Sequence, residues 1–312
     1  MKRALLLVAG TVSSLALGCT NAPAFGGAGG GNTAGGAAAG AGGVAGSPSL
    51  AGASAVGDAS GVAGAASPDA ASDAALPPTD SGTDASDAGL PPLPRRVLLY
   101  HFSTLDIPSV PAQLTFFQSQ LAAWQYESDE SVDASELSDQ NLERYAAVAM
   151  INTCFEPFGK GKPDTPQSEV IRRFLQRGGG LFGTHCAAVT FQSDTPPALY
   201  NQLLGGRGGN GFFDGTSACR TTAQHPSTAG LAANFSFVGN LDNTDFLAAD
   251  SVVLVKCQWQ TDNGKDVAAS WYRSEGLGRV FYTDFAKVDA DLKAPALGAH
   301  IVAGLAWVLR RP

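Results

Sequence analysis

A long stretch rich in glycine and alanine limits what this chain can fold into. Between Ala22 and Pro94, glycine and alanine supply 39 of 73 residues, and Phe25 is the only aromatic residue. A segment with so little apolar surface to bury cannot offset the conformational entropy lost when its backbone is ordered. We therefore expect a disordered linker over residues 20–94. The foldable part is residues 95–312, which is long enough for one substantial core.

The linker and the foldable part also differ in net charge. The formal net charge of the whole chain is −8, and six aspartates between positions 58 and 87 give −6 to the linker. Two cations at the N-terminus contribute +2, which leaves −4 for residues 95–312. A mildly acidic domain without a cluster of lysines or arginines is poorly suited to binding phosphate backbones. Nucleic acid is therefore excluded as a partner.

The first residues are typical of an export signal. Two cations precede an apolar run over residues 4–17, which is the length of a signal-peptide core and short for a membrane span. The run ends at Gly18-Cys19, which resembles the lipobox of bacterial lipoproteins, where the cysteine is acylated. Ordinary cleavage near Ala22 or Ala24 is the alternative. We expect residues 1–19 to be a signal peptide with a lipobox-like end, and the mature protein to be a membrane-anchored lipoprotein facing the periplasm or cell exterior.

Strand and helix signals alternate in the first half of the foldable region. Apolar runs typical of strands buried on both faces occur at Arg96–His101, Ala146–Thr153 and Leu181–His185. Helical spacings occur between them, at Pro111–Trp124, Ser138–Arg144 and Pro166–Gln176. This alternation predicts a parallel α/β sheet. Ligands of such sheets bind outside the carboxyl ends of the strands. We therefore expect His101, Cys154 and His185 to lie along one edge.

The pattern changes after Gly205. Four strands follow without long helices between them, and we expect them at Ser217–Thr222, Ser251–Gln258, Val267–Tyr272 and Gly278–Thr283. They predict an antiparallel extension of the sheet, and residues 291–309 have the spacing of a closing amphipathic helix.

Gly206-x-Gly208-x-x-Gly211 fits the dinucleotide pattern formally. It follows a helix and opens none, so the mechanism behind that motif is absent.

Several motifs in a fixed order carry a family resemblance. They are Asn141 to Tyr145 before the second strand, FLQRGGGLFGTHCA over 174–187, YNQLLGG over 200–206, His225-Pro226, and GLGRVFYTDF over 276–285. Together, from about Arg96 to Leu309, they resemble ThuA-like domains of the trehalose-utilisation type. The resemblance implies the class I glutamine amidotransferase-like fold. This is a flavodoxin-like, three-layer α/β sandwich whose parallel central sheet has an antiparallel extension.

The resemblance directs attention to His185. Amidotransferases of this fold hold a nucleophilic cysteine on a strained turn after this strand, and ThuA-like domains carry a histidine there, which matches His185. An imidazole at that place suits acid/base chemistry near neutral pH. The candidate carboxylate partners are Asp242, Asp245 and Asp284.

Three further residues are candidate ligand contacts: Thr184, His225 and Trp271. His225 has an alternative role, because its His-Pro motif could serve only to shape a turn. His185 and His225 are the two imidazoles that match family motifs, so we expect no multi-histidine metal site. The sequence leaves the cofactor open.

Four cysteines follow Cys19, an even number that allows three pairings in an exported protein. Cys154 and Cys186 come just after strands that should be neighbours, and Cys219 and Cys257 lie in two of the later strands. We predict the bridges Cys154–Cys186 and Cys219–Cys257. The alternative makes Cys186 a nucleophile in a Cys-His dyad. It is opposed by the absence of the amidotransferase His-x-Glu motif, since Pro226-Ser227 follows His225.

Two classes of function remain open. In the first, the domain acts on a carbohydrate such as a disaccharide or keto-sugar, as the resemblance implies, with His185 as acid/base. In the second, it is a displayed, non-catalytic module that binds sugars on Trp259, Trp271 or Tyr272. A His185–carboxylate pair within hydrogen-bond reach would favour the enzyme. An aromatic cleft without such a pair would favour the module.

Overall fold

The computed structural model describes residues 92–103, 107–158, 166–260 and 264–311, apart from the side chain of Asn210. The expected signal peptide, the acylation site Cys19 and the linker up to residue 91 lie outside the described residues. Within the described residues, no helix combines the length and the apolar character needed to cross a membrane.

Strands and helices alternate first, and strands then follow one another. The strands are β1 Arg96–Tyr100, β2 Glu127–Ser131, β3 Ala147–Ile151, β4 Gly180–Thr184, β5 Gly206–Thr221, β6 Asn234–Leu247, β7 Val252–Trp259, β8 Lys265–Glu275 and β9 Gly278–Thr283. The helices are α1 Val110–Ala123, α2 Asp139–Leu142, α3 Pro166–Gln176, α4 Leu199–Leu204, α5 Asp289–Lys293 and α6 Pro295–Val308.

These nine strands form one sheet in the order β2-β1-β3-β4-β9-β8-β7-β5-β6. The pairs from β2 to β9 are parallel, with Thr184 opposite Thr283 at the end of β4 and β9. The pairs from β9 to β6 are antiparallel. This confirms the predicted α/β fold, in which a parallel sheet carries an antiparallel extension.

Strands β1, β3, β4 and β9 are almost completely buried because helices cover both faces of the sheet. Alternate residues of a strand point to opposite faces, so Val97 and Leu99 belong to the core that contains the apolar residues of α1 and α6. Leu98 and Tyr100 belong to the core that contains those of α3 and α4. All five residues of β3 are buried, which explains why its sequence is a continuous apolar run.

The closing helix differs from its prediction. Residues 291–309 do not form one helix, because α5 ends at Lys293 and α6 starts at Pro295. Proline lacks an N–H and restricts the residue before it, so Ala294 adopts an extended backbone. The spacing of the apolar residues in α6 was predicted, and Ile301, Leu305 and Val308 are buried.

Two strands were not predicted. The sequence of β2 is ESDES, which has no apolar residue, and its strand conformation comes from pairing with β1 at the edge of the sheet. Arg96 also forms ion pairs with Glu127 and Asp129 of that strand. Strand β6 pairs along most of β5, and β5 begins at Gly206, well before the predicted Ser217. The glycine pattern at 206–211 is therefore part of a strand.

Both predicted disulfides are present. Cys154 follows β3 and Cys186 follows β4, and their Cα atoms lie 5.0 Å apart. Cys219 of β5 lies directly opposite Cys257 of β7 in the antiparallel register. Because Cys186 is oxidised, the alternative in which its thiolate acts as a nucleophile is wrong for this structure.

Removing the second bridge should lower stability. We expect the double variant Cys219→Ser with Cys257→Ser to lose about 2–4 kcal/mol of unfolding free energy, because the bridge restricts the unfolded chain across a separation of 38 residues. Denaturant titration under oxidising conditions measures the loss. As a control, thiol titration of the unfolded, unreduced wild type should find none of these four cysteines free. An unchanged midpoint in the double variant would contradict the prediction.

Candidate functional site

His185 occupies a sharp turn at the carboxyl end of β4. It begins a short 3-10 turn, His185–Val189, and has a φ of 41°, a left-handed conformation that is unusual for a residue other than glycine. Such backbone strain persists only where the surroundings fix it, and it is concentrated at functional sites. Here the hydroxyl of Tyr282 donates to the His185 carbonyl at 2.7 Å, and the neighbouring Cys186 is bridged to Cys154.

Asp284 reaches His185 from the neighbouring parallel strand. Asp284 follows β9 by one residue, just as His185 follows β4, and the register pairs the preceding residues, Thr184 and Thr283. The imidazole Nδ1 lies 2.8 Å from Oδ1 of Asp284, and both side chains are almost completely buried. An Nδ1–H that donates to this carboxylate leaves Nε2 as the ring nitrogen available for chemistry.

Asp242 of β6 completes the cluster. Its backbone N–H donates to Oδ2 of Asp284 at 2.7 Å, and its own Oδ2 lies 3.7 Å from His185 Nδ1. That Oδ2 is buried and has no hydrogen-bond partner among the described residues. The hydroxyl of Tyr282 lies 3.2 Å from Oδ1 of Asp284, so donors surround the Asp284 carboxylate on both oxygens.

Burial and the two carboxylates shift the pKa values of this cluster. Burial alone would lower the pKa of His185, but the negative charges of Asp242 and Asp284 outweigh it and raise that pKa above its usual value. Burial, with the nearby charge of Asp284, raises the pKa of Asp242 to about 7, against the opposing effect of His185. Burial also raises the pKa of Tyr282, which keeps its hydroxyl protonated as a donor. The raised pKa of Asp242 therefore lies close to neutral pH.

The same three side chains have the composition of a small cation site. Ligand atoms of His185, Asp242 and Asp284 lie within 4.8 Å of one another. One imidazole and two carboxylates suit a divalent transition metal, and the unpartnered Asp242 Oδ2 is a suitable ligand atom. A metal on Nδ1 would displace the hydrogen bond from Nδ1 to Asp284. The sequence analysis argued only against a multi-histidine metal site, and it did not foresee two carboxylates beside one imidazole.

Asp245, the third predicted carboxylate, is not part of the cluster. It forms a bidentate ion pair with Arg207, with Nε to Oδ1 at 2.9 Å and Nη2 to Oδ2 at 3.1 Å. The sequence could not separate it from Asp242 because strand β6, which determines the direction of both side chains, was itself not predicted.

The three predicted ligand contacts are not members of the cluster of His185, Asp242 and Asp284. Trp271 is fully buried, stacks on Tyr282 at 4.1 Å between ring centroids and donates its indole N–H to the Leu204 carbonyl. Thr184 is also fully buried, and its hydroxyl accepts from the backbone N–H of Asn152. Neither side chain is accessible to a ligand. The burial of these two side chains gives the predictions no support, because spacing alone does not tell which strand residues face the solvent.

His225 shapes a turn, which was the alternative prediction for it. Its Nδ1 accepts from the backbone N–H of Ser227 at 3.1 Å, and Thr228 Oγ1 accepts from the backbone N–H of His225 at 2.9 Å. The ring packs against Tyr272 and Trp307. Burial, together with the nearby His300 and Arg279, lowers the pKa of His225 to about 3, so it is neutral at physiological pH.

Tyr282 was missed as a functional residue. Tyr282 lies two positions before Asp284, and residues two apart in a strand point to the same face of the sheet. This spacing could have predicted that Tyr282 lies beside Asp284. Its hydroxyl contacts both His185 and Asp284, so it fixes the turn and the carboxylate at once.

Comparison with known proteins gives one family and a related structure. Residues 96–308 match the family model described as ThuA, trehalose utilisation. A ThuA-like protein from Bacteroides uniformis has a similar structure, with a TM-score of 0.57 and 20% identity over 71% of this chain and 94% of that chain. At that identity the likeness concerns the fold.

A β-galactosidase from Bacillus circulans is also structurally similar. It has a TM-score of 0.45 and 14% identity over 69% of this chain and 31% of the β-galactosidase chain. No curated protein matches this sequence.

Removing the charge of Asp242 should lower the pKa of His185. We expect Asp242→Asn to shift the His185 titration to lower pH, because one of the two charges that stabilise the imidazolium is lost. Histidine NMR titration from about pH 5 to pH 9 measures it, since burial lowers the pKa of His225 to about 3 and of His300 to about 4. The signal that His185→Gln removes is assigned to His185.

The same variant should change how stability depends on pH. The folded-state pKa of Asp242, about 7, lies above its unfolded value, so wild-type stability declines as pH rises from about 4 through 7. Asparagine cannot lose this proton. The variant should therefore gain on the order of 1–3 kcal/mol relative to the wild type between about pH 5 and pH 8. Asp245→Asn is the matched control, because Asp245 pairs with Arg207 outside the cluster, and it should leave the His185 titration unchanged. Equal effects of the two variants would contradict the assigned geometry.

Proposed function

Because the chain belongs to the ThuA, or trehalose utilisation, family over residues 96–308, we propose that it is an exported acid/base catalyst that acts on a carbohydrate. The substrate class is a disaccharide or a keto-sugar. His185 is the residue that takes and returns a proton, and Asp284 holds its ring.

One observation carries this proposal: the buried hydrogen bond of 2.8 Å between His185 Nδ1 and Asp284 Oδ1. A carboxylate on Nδ1 fixes the tautomer and the orientation of an imidazole, and it stabilises the imidazolium that forms when Nε2 accepts a proton. Nε2 of His185 has no hydrogen-bond partner in the part of the chain that the structure describes. The pair therefore has the arrangement of a general base.

A protein that only binds sugars has no need for a buried cluster such as that of His185, Asp242 and Asp284. Asp242 keeps a buried oxygen without a partner, which costs stability, and a purely structural core would avoid that cost.

The non-catalytic module relied on Trp259, Trp271 or Tyr272 as rings on which a sugar stacks. It is less well supported, because Trp271 is fully buried and the rings of Trp259 and Tyr272 pack against Phe213 and His225.

The chemistry that fits this cluster is proton transfer at a carbon beside a sugar carbonyl. Neutral His185 takes the proton on Nε2, and the C–H electron pair forms a C=C bond while the carbonyl becomes an enolate. Returning the proton from Nε2 to the same carbon converts the C=C bond back to a C–H bond and restores the carbonyl, so this hydrogen exchanges with solvent whenever the proton on Nε2 does. Asp284 and Asp242 stabilise the intermediate imidazolium. Because the base must be neutral, the rate should rise with pH as the raised pKa of His185 is passed.

Export and lipid anchoring belong to the same proposal. Two disulfides in one small domain are typical of proteins that leave the reducing cytoplasm. An acylated Cys19 followed by a 20–94 linker would display the domain off a membrane. A flexible coil of 75 residues would have a mean end-to-end distance of about 45–50 Å.

Catalysis can be tested by hydrogen exchange, which needs no knowledge of the product. We expect the wild type to incorporate deuterium from D2O at the carbon beside the carbonyl of keto-disaccharides, and not into trehalose, which has no carbonyl group. His185→Gln should lower that rate by about 10²–10⁴-fold, the usual contribution of a general base. NMR measures exchange, and calorimetry measures binding in the same samples.

His101→Gln is the matched control, because His101 also lies at the carboxyl end of a parallel strand but pairs with Glu130. It should keep full activity. Binding without exchange or turnover, in the wild type as well as in the variant, would remove the enzyme and leave the displayed binding module.

The anchor has its own test. Cys19→Ala should move the protein from the membrane fraction to the soluble exported fraction, because the residue that would carry the lipid is gone. Fractionation followed by immunoblotting measures this, and Cys19→Ser is a second variant that retains a polar side chain. Wild-type protein found only in the soluble fraction would refute the lipid anchor without affecting the catalytic proposal.

A further inference from the structure

Lys287 is a cation beside the His185 cluster that the proton transfer itself does not use. Its side chain is half-buried, and its ammonium lies 5.4 Å from the centre of the Phe212 ring, which is a cation–π contact. Within the described residues this ammonium forms no ion pair. Removing a charged group from water costs free energy unless a partner replaces the lost hydration. A ligand that carries an acceptor oxygen would supply that partner.

Hydrogen bonds hold the backbone of Lys287 close to the turn of His185. Asn152, at the end of β3, connects the two segments. Its Nδ2 donates to the carbonyl of Ala286 at 3.2 Å, and its backbone N–H donates to the hydroxyl of Thr184 at 3.1 Å. Ala286 directly precedes Lys287, and Thr184 directly precedes His185. One buried side chain and its backbone therefore keep the two segments together.

Strand β5 places the Phe212 ring on the face that carries Asp242. Phe212 lies directly opposite Asp242 in the antiparallel register of β5 and β6. Residues paired in this way point to the same face of a sheet, with Cβ atoms about 4.5–5.5 Å apart. Phe212 is 65% exposed and Asp242 is buried, so the ring and the ammonium over it lie on the solvent side of the cluster.

The charge of Lys287 reaches the cluster. Burial and the charges within the cluster have the larger effects on the pKa values of His185 and Asp242, and the positive charge of Lys287 acts to lower both. This agrees with the placement of its backbone and of the Phe212 ring.

The proposed reaction needs a donor at the carbonyl oxygen of the substrate. Negative charge develops on that oxygen when the C–H electron pair forms the C=C bond, and a fixed donor or cation there contributes strongly to catalysis. The two aspartates of the cluster are acceptors in the ionised state that stabilises the imidazolium. The Tyr282 hydroxyl already donates to the carbonyl of His185. The cluster therefore supplies the base, and the donor must come from beside it.

We propose that Lys287 is this donor: its ammonium binds the carbonyl oxygen of the keto-sugar and stabilises the enolate that forms there. The inference rests on the proposed function, and it adds a second catalytic residue to it. His185 Nε2 takes the proton, the C–H pair forms the C=C bond, and the carbonyl π pair moves onto the oxygen that Lys287 holds. The ammonium keeps its own protons, and return of the proton from Nε2 reverses each step.

Deuterium exchange tests this role. The probe is isomaltulose in D2O, a disaccharide whose fructose unit opens to a ketone, with the full chain. We expect Lys287→Met, which keeps the length of the side chain and removes its charge, to lower the exchange rate by about 10²–10³-fold, the usual effect of losing one oxyanion donor. Lys293→Met is the matched control, because Lys293 of α5 pairs with Asp289. It should keep the wild-type rate.

Lys287→Met should leave the fold intact, which circular dichroism checks. The backbone of Lys287 is held independently of its side chain, because its carbonyl accepts from the Ser109 hydroxyl at 2.6 Å and its N–H donates to Oδ2 of Asp291 at 3.1 Å.

Binding of ascorbate gives a readout that needs no turnover. Ascorbate is a sugar-derived ring that carries an ene-diolate, so its negative oxygen resembles that of the proposed intermediate. We expect Lys287→Met to bind ascorbate about 10–100-fold more weakly than the wild type in calorimetry, the effect of losing one hydrogen bond between charged groups. Lys293→Met should bind it as the wild type does.

The outcomes separate this inference from the proposed function. If Lys287→Met exchanges hydrogen as fast as the wild type while His185→Gln does not, Lys287 is not the donor and the catalytic proposal stands. An equal loss in Lys293→Met also overturns the role of Lys287. If the wild type exchanges no hydrogen, the proposed function fails and ascorbate decides: weaker binding by Lys287→Met alone supports an oxyanion site at Lys287, and equal binding, or none by the wild type, overturns it.

Discussion

Asp284 is the residue around which the carboxyl edge of the sheet is organised. Its oxygens are contacted by the His185 ring, the Tyr282 hydroxyl and the backbone N–H of Asp242, which come from three different strands or strand ends. A buried carboxylate is stable only when such donors surround it. The dependence is mutual. Asp284 positions the His185 ring, and the donors from His185, Tyr282 and the β6 backbone stabilise the buried carboxylate of Asp284. The parallel register of β4 and β9 brings the two side chains together.

Strain and cross-linking act on the same edge. Asn152, Phe155, His185 and Phe191 all have positive φ values, and they lie within or beside the segments joined by the Cys154–Cys186 bridge. Each left-handed residue costs of order 1–3 kcal/mol and persists only when its surroundings determine it. The bridge and the Tyr282 hydrogen bond supply those surroundings. As a result, a site built partly on loops is held by two parallel strands and a covalent link.

The sequence predicted those parts of the fold whose physics is local. Strands β1, β3 and β4 are apolar because both faces are covered, and the ends of α3 agree with its spacing. Strand β2 could not be predicted, because ESDES has no hydrophobic pattern and depends on its neighbour for pairing. His185 and its partners Asp242 and Asp284 were among the candidates. The sequence could not separate these two aspartates from Asp245, nor show that Trp271 is buried. Both depend on which faces of the strands meet, and the tertiary structure determines this.

The Cys154–Cys186 bridge makes the shape of the site depend on where the chain is. In a reducing compartment these sulfurs remain thiols, and the turn that carries His185 is then no longer tied to the segment that carries Phe155. The same amino-acid sequence therefore has two versions of this edge, a looser one before oxidation and a fixed one after it. Oxidation of Cys154 and Cys186 therefore fixes the geometry of the turn that carries His185.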